Sequence, residues 1–130
     1  MPQSRTNISS GSPWEATVGY SRAVKIGAVI EISGTVAVED GQVVGLEDPY
    51  VQTKVILKKI EAVLAEAGAS LKDVVRTRIF VTDISQWEAV GRAHGEFFGE
   101  IRPCTTMVEV SRLIAPEYMV EIETTAILEN

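Results

Sequence analysis

Few side chains in this sequence are suited to covalent or metal chemistry. It has one histidine and one cysteine. A zinc site built from protein ligands alone is therefore not expected, and an internal disulfide is impossible. Carboxylates and hydroxyls are patterned instead. Glu31 and Ser33 alternate with Ile30 and Ile32, and Glu121 and Glu123 alternate with Val120 and Ile122. Thr105, Met107 and Glu109 alternate with Thr106, Val108 and Val110. A period of two sends successive side chains to opposite faces of a strand, so each segment offers an apolar side and a mixed side. A carboxylate on such a face is suited to take a proton from water, and arginine or hydroxyl groups to hold a small polar molecule. The same pattern fits a solvated sheet face, or a face of contact between subunits whose polar groups line pockets. Apolar residues scattered on it, such as Ile79 and Ile127, favour subunit contact.

These segments need elements to position them. Val18 to Lys25 and Val29 to Val38 read as strands separated by Gly27-Ala28. Asp40-Gly41 is a hairpin turn signal, because glycine takes positive φ without steric cost. Asp48-Pro49 opens a helix: aspartate caps it, and proline's missing N–H has no partner at that position anyway. Val51, Val55, Ile56, Ile60, Val63, Leu64 and Ala67 follow at helical spacing, and Gly68 ends the run. Val74 to Val81 alternates, with Val75, Thr77, Ile79 and Val81 on one face and Val74, Arg76, Arg78 and Phe80 on the other. Ser85 to Glu88 has the form of a capping box. It leads a second helix whose inner stripe is Trp87, Val90, Gly91, His94, Phe97 and Phe98, with Gly99 at its end. Thr105 to Val110 and Met119 to Leu128 are the last two strands, joined by a turn around Ala115-Pro116. This order, with the terminal strands paired, predicts an α/β (α+β) domain: one mixed sheet with two helices packed on one face.

The 130 residues suit a single domain, residues 1–130, with the polar stretch 1–12 as a flexible leader. No run approaches the roughly 20 apolar residues of a membrane span. No apolar segment of a signal peptide is present, and together with the lone cysteine this suggests a cytoplasmic protein. The net charge is −6, which disfavours binding to phosphate backbones or anionic membranes.

Six segments, in order, resemble one family. Gly19-Tyr20-Ser21-Arg22-Ala23-Val24 is similar to its Pro-Tyr-Ser-Gln-Ala-Val, and Ile32-Ser33-Gly34-Thr35 to its Ser-Gly-Gln. Leu71 to Thr77, continued by Arg78 to Asp83, resembles its Asp-Val-Val-Lys-Thr-Thr-Val-Phe stretch. Phe97-Phe98 followed by Arg102-Pro103, Met107 to Leu113, and Val120 to Glu123 resemble its remaining segments. The chain is thereby identified as a member of the Rid (reactive intermediate deaminase) family, also called YjgF-type or endoribonuclease L-PSP. The resemblance implies a chorismate-mutase-like fold that forms a homotrimer, with small-molecule clefts between subunits. It also implies hydrolysis of reactive imines and enamines to a carbonyl compound and ammonia, without a cofactor and without a metal.

The resemblance implies roles residue by residue. Glu121 matches the glutamate that holds water, Tyr20 the pocket tyrosine and Ser33 the pocket serine; these three are the expected catalytic group. The expected substrate-binding residues are Arg22, Gly91, Arg102, Thr105, Thr106 and Met107. Here the sequence departs from the family. The family's carboxylate-binding arginine falls at Thr105, its cysteine at Met107 and its pocket asparagine at Gly91. Arg22, which stands at a family glutamine, and Arg102 are the candidates to replace the missing arginine. The plainer reading of each is a surface or salt-bridging arginine. Arg76, Arg78 and Arg112 are expected to pair with glutamates of the sheet. His94 and Cys104 are expected to be structural, and Trp14 to cover the cleft or anchor the leader.

Three functions follow from these features. The leading one is an imine or enamine deaminase with a non-standard substrate anchor. The second is a non-catalytic, metabolite-binding or regulatory trimer, which a pocket without its clamp would also suit. The third, a ribonuclease or translation inhibitor, is opposed by the acidic charge and by the lack of a basic stripe with stacking aromatics.

Overall fold

A computed structural model describes residues 4–129. Eight strands and two helices occur in the order β1 (Arg5–Ile8), β2 (Ala23–Ile26), β3 (Val29–Thr35), β4 (Val38–Glu39), β5 (Gln42–Val43), α1 (Pro49–Glu66), β6 (Val74–Val81), α2 (Trp87–Phe98), β7 (Cys104–Glu109) and β8 (Val120–Ile127). Six strands form one sheet in the order β1-β2-β3-β8-β6-β7, and β4 and β5 form a separate hairpin. Among the described residues only β6 and β7 run parallel, because α2 carries the chain back between them. Both helices cover one face, as the sequence predicts. Ile30, Ile32, Ile56, Leu57, Ile60, Leu64, Ile79, Val90, Phe98, Val120 and Ile122 form the buried core.

Local signals set several elements. The Asp48 side chain caps α1 by accepting from the Val51 N–H at 3.1 Å. Asp40 and Gly41, at φ 51° and 76°, make the β4–β5 turn.

Other expectations are corrected. The stretch read as a flexible leader contains β1, which pairs with β2 from Arg5↔Ile26 to Ile8↔Ala23. An edge strand is held by backbone bonds, so its polar side chains gave no sign of it; residues 1–3 lie outside the described residues. The strand expected from Val18 begins only at Ala23, because Glu15–Gly19 coils into a single wide helical turn. That turn is tethered by Glu15, whose carboxylate accepts from Ser10 N–H and Oγ. Asp83, not Ser85, caps the turn before α2; it accepts from Ser85 N–H and Oγ. Trp87, placed on the inner stripe, is 55% exposed. The last two strands do not pair: β8 inserts between β3 and β6, leaving β7 at the edge.

Two bulges decide which side chains face where. Between β6 and β8 the register slips at Val74/Arg76, so Val74 is buried and Val75 is 40% exposed, the reverse of simple alternation. Between β3 and β8 it slips from Ile32↔Thr124 to Thr35↔Ile122. Ile32 and Thr35 both turn to the helices, and Ser33 and Gly34 together stand opposite the single residue Glu123, one extra residue on β3.

Candidate functional site

The β3 bulge builds the core of the site. Gly34 lies against the carboxylate of Glu121: a Cβ on Gly34 would fall on Glu121 Oε2 and 2.9 Å from Cδ. Arg22 fixes the bulge from behind. Its Nη1 donates to the carbonyls of Ser33 (3.2 Å) and Gly34 (2.8 Å) and to Thr35 Oγ1 (3.0 Å). Its guanidinium carbon is 5.9 Å from the centre of the Tyr20 ring. Ser33 donates its hydroxyl proton to the Ser21 carbonyl at 2.7 Å, leaving its lone pairs available.

Glu121 is half-buried in a cavity of about 300 Å³ lined by Gly34, Phe80, Val110, Arg112, Leu113 and Glu123. Burial pushes its pKa up against the pull of Arg22, and Glu123 adds to the rise. A carboxyl raised by partly apolar walls is suited to accept a proton nearer neutrality than a solvated one. Tyr20 and Ser33 line a second, larger cavity of about 660 Å³, together with Arg5, Glu31 and Arg78. Glu123 borders both cavities.

The substrate-binding residues expected alongside Glu121 are divided by the sheet. Register pairs Thr105 with Thr77 and Met107 with Ile79, on the helix-covered side. Phe80, the cross-strand partner of Glu121, pairs with Val108, and Arg78 with Thr106, on the open side. The mixed side of β7 is therefore the opposite of the one alternation suggested for it. Thr105 Oγ1 lies 2.8 Å from Thr77 Oγ1, which lies 2.9 Å from His94 Nε2 on α2. Gly91, one turn before His94, has no atom within 4 Å of the place a Cβ would take. Arg102 sits at φ 57° and donates its Nε to the Gly99 carbonyl at 3.1 Å. The structure thus holds two groups: Tyr20, Arg22, Ser33 and Glu121 around the β3 bulge, and Gly91, Thr105 and Met107 between α2 and the β7 edge.

Among the described residues the one ion pair within 4.0 Å is Lys54–Glu96, at 3.8 Å. Arg76, Arg78 and Arg112 form none with the sheet's glutamates at that distance, and Arg112 instead lines the Glu121 cavity. Trp14 is 64% exposed. Sequence reasoning also missed Gln52, which is fully buried. Its Nε2 donates to the Gly45 and Glu117 carbonyls (3.1 and 3.0 Å), and its Oε1 accepts from the Met119 N–H at 2.9 Å. It thereby fixes the loop that delivers β8 and Glu121. A polar residue within an apolar helical stripe was the available signal. Among the described residues no group of three His, Cys, Asp or Glu side chains could hold a metal ion, and no helix is long and apolar enough to cross a membrane.

The sequence profile of a family described as Endoribonuclease L-PSP matches residues 11–128. The chain is 34% identical over 108 residues to 3-aminoacrylate deaminase RutC of Acinetobacter baylyi, covering 82% of this chain and 85% of that one. The crystal structure of Rv2704 from Mycobacterium tuberculosis, a member of the YjgF/YER057c/UK114 family, is 53% identical with a TM-score of 0.87, covering 96% of this chain and 100% of that one. The YjgF gene product of E. coli is 28% identical with a TM-score of 0.80, covering 95% and 94%.

Proposed function

Because the chain belongs to the Rid, or YjgF-type, family described as Endoribonuclease L-PSP, we propose that it is a deaminase that hydrolyses a small imine, or the imine tautomer of an enamine. A relative of similar sequence is named for deaminating 3-aminoacrylate, an enamine. The observation that carries the reading is the Glu121 carboxylate, half-buried against Gly34 with its pKa raised by burial.

In this reading Glu121 orients a water and takes one proton from it as the oxygen attacks the imine carbon. The substrate is attacked as its N-protonated iminium, so a neutral carbinolamine results. Glu121 then returns its proton to the nitrogen, the C–N bond breaks, ammonia leaves, and the hydroxyl proton passes to solvent as the carbonyl compound forms. Tyr20 and Ser33 contribute polar contacts. The division of the remaining residues onto the α2/β7 edge supports a homotrimer in which one subunit's bulge faces another's edge and a cleft forms between them. A cytoplasmic setting suits a short-lived substrate of this kind.

Ammonia release tests the reading, using 2-iminopropionate made in situ from alanine by an amino-acid oxidase, and a neutral imine alongside. A rate above background that falls by about 100-fold or more in Glu121→Gln is expected. No rate with either substrate would refute it and favour the second reading, a binding trimer without turnover. That second reading draws on the hydroxyl at Thr105, where the family pattern has its arginine.

A further inference from the structure

His94 is the only histidine of the chain, and the chemistry above does not use it. It is half-buried on α2, with its ring tilted against Phe98 at a centroid distance of 4.7 Å. Burial holds its pKa below the ordinary value. From Nε2 a chain of hydrogen bonds runs 2.9 Å to Thr77 Oγ1 and 2.8 Å to Thr105 Oγ1. The other partner of Thr105 is the Pro103 carbonyl, at 3.3 Å. Thr77 is fully buried and Thr105 is exposed. The neighbouring hydroxyl of Thr124, cross-strand from Thr77, is buried with no hydrogen-bond partner among the described residues. Thr77 therefore has two partners for its one proton.

We propose that this chain of side chains makes the Thr105 hydroxyl a fixed, uncharged docking point for a substrate substituent that both donates and accepts hydrogen bonds, such as a carboxamide or hydroxyl, in preference to a carboxylate. The proposal rests on the site taking a small imine and names the class of that imine. If Thr77 donates to a bare Nε2, Thr105 donates to Thr77 and turns its lone pairs outward. If Nε2–H donates to Thr77, Thr77 donates to Thr105, whose proton is left for Pro103 or for an incoming group. A carboxamide matches either polarity. A carboxylate only accepts, so it matches one and brings a charge that this wall does not neutralise. Both partners of Thr105 are neutral, and Arg102 turns its Nε to Gly99. The open space at Gly91 and the thioether of Met107, on the same face as Thr105, leave room for the apolar remainder of such a molecule. His94 is then a positioning residue, acting through Thr77, and Thr105 the residue that touches substrate.

Pyruvamide and pyruvate, alike in shape and different in charge, serve as probes titrated into the full chain by calorimetry and NMR. Pyruvamide is expected to bind at least about tenfold more tightly. Thr105→Val should erase the preference and Thr105→Ser keep it. His94→Phe should weaken it, while His94→Gln, whose amide nitrogen takes the place of Nε2, should keep it. The single imidazole gives a readout that a merely structural histidine would not: pyruvamide should shift its Nε2 signal in the parent protein and not in Thr105→Val. Equal affinity for the two probes, no binding of either at millimolar concentration, or a preference untouched by Thr105→Val would each overturn the proposal. Ammonia release scores the parent reading separately. Pyruvamide selectivity without turnover of any imine would sink the deaminase and leave the docking point standing. Turnover that prefers the carboxylate-bearing imine would do the reverse.

Discussion

The carboxylate of Glu121 rests on the backbone of Gly34, in the space a side chain there would occupy. This contact joins the β3 bulge to β8 and sets where the carboxylate points. Gly34→Ala should therefore displace Glu121 and leave the core intact, since Gly34 lies on the side of the sheet away from the helices. Ammonia release is expected to fall on the order of 100-fold, as small misplacements of reacting groups do, with little change in Tm. An unchanged rate would show that the contact does not position the carboxylate.

Glu121 should cost stability at the pH where it works. Its folded pKa is raised, so the folded state holds the proton more tightly than the unfolded chain does. The stability from that proton is fully present below the ordinary carboxylate value of 4.5 and is lost as pH rises through the raised folded value. Glu121→Gln should therefore raise Tm at neutral pH and lose this advantage in acid. Thermal melts of both proteins from acid to neutral pH check it, and parallel curves would contradict the raised pKa.

Arg22 should act on Glu121 through charge. Its guanidinium pulls the Glu121 pKa down, so Arg22→Gln should move the acidic limb of the pH–rate profile to higher pH. The variant also loses donors to the Ser33 and Gly34 carbonyls and to Thr35, so a lower Tm is expected as well. A limb that stays in place with a lowered Tm would make Arg22 a structural clamp alone.

Gln52 ties α1 to the loop before β8 through two hydrogen bonds, to Glu117 and Met119, and to the segment before α1 through a third, to Gly45. Gln52→Leu keeps similar bulk and leaves two carbonyls and one N–H without these partners. It should cost about 2–3 kcal/mol by denaturant unfolding. A change within about 0.5 kcal/mol would mean that the loop finds other partners.

Much of the fold was legible because its signals are local. Asp48 caps α1 and Asp40-Gly41 makes a turn through contacts within three residues, and apolar spacing marked both helices and β6. The ordered motifs singled out Tyr20, Ser33 and Glu121 as candidates, and the absence of an arginine at Thr105 was plain from the residues alone. The Ser85 cap failed although it is local, because Asp83 offered a better acceptor two residues earlier.

What the sequence by itself determined is the inventory: one mixed sheet, two helices on one face, a carboxylate on β8 and a hydroxyl where the family pattern has an arginine. Tertiary structure alone decided which groups meet. One extra residue in β3 turns Ser33 and Gly34 away from the core, and one slip in β6 exchanges Val74 for Val75. The insertion of β8 between β3 and β6, and the parallel pairing of β7 with β6, put Thr105 beside Thr77 and His94 and on the other side of the sheet from Glu121. The physical reason is that alternation fixes a side chain's face only relative to its own strand. Which face is buried depends on register with strands far away in the chain, and a single bulged residue reverses it.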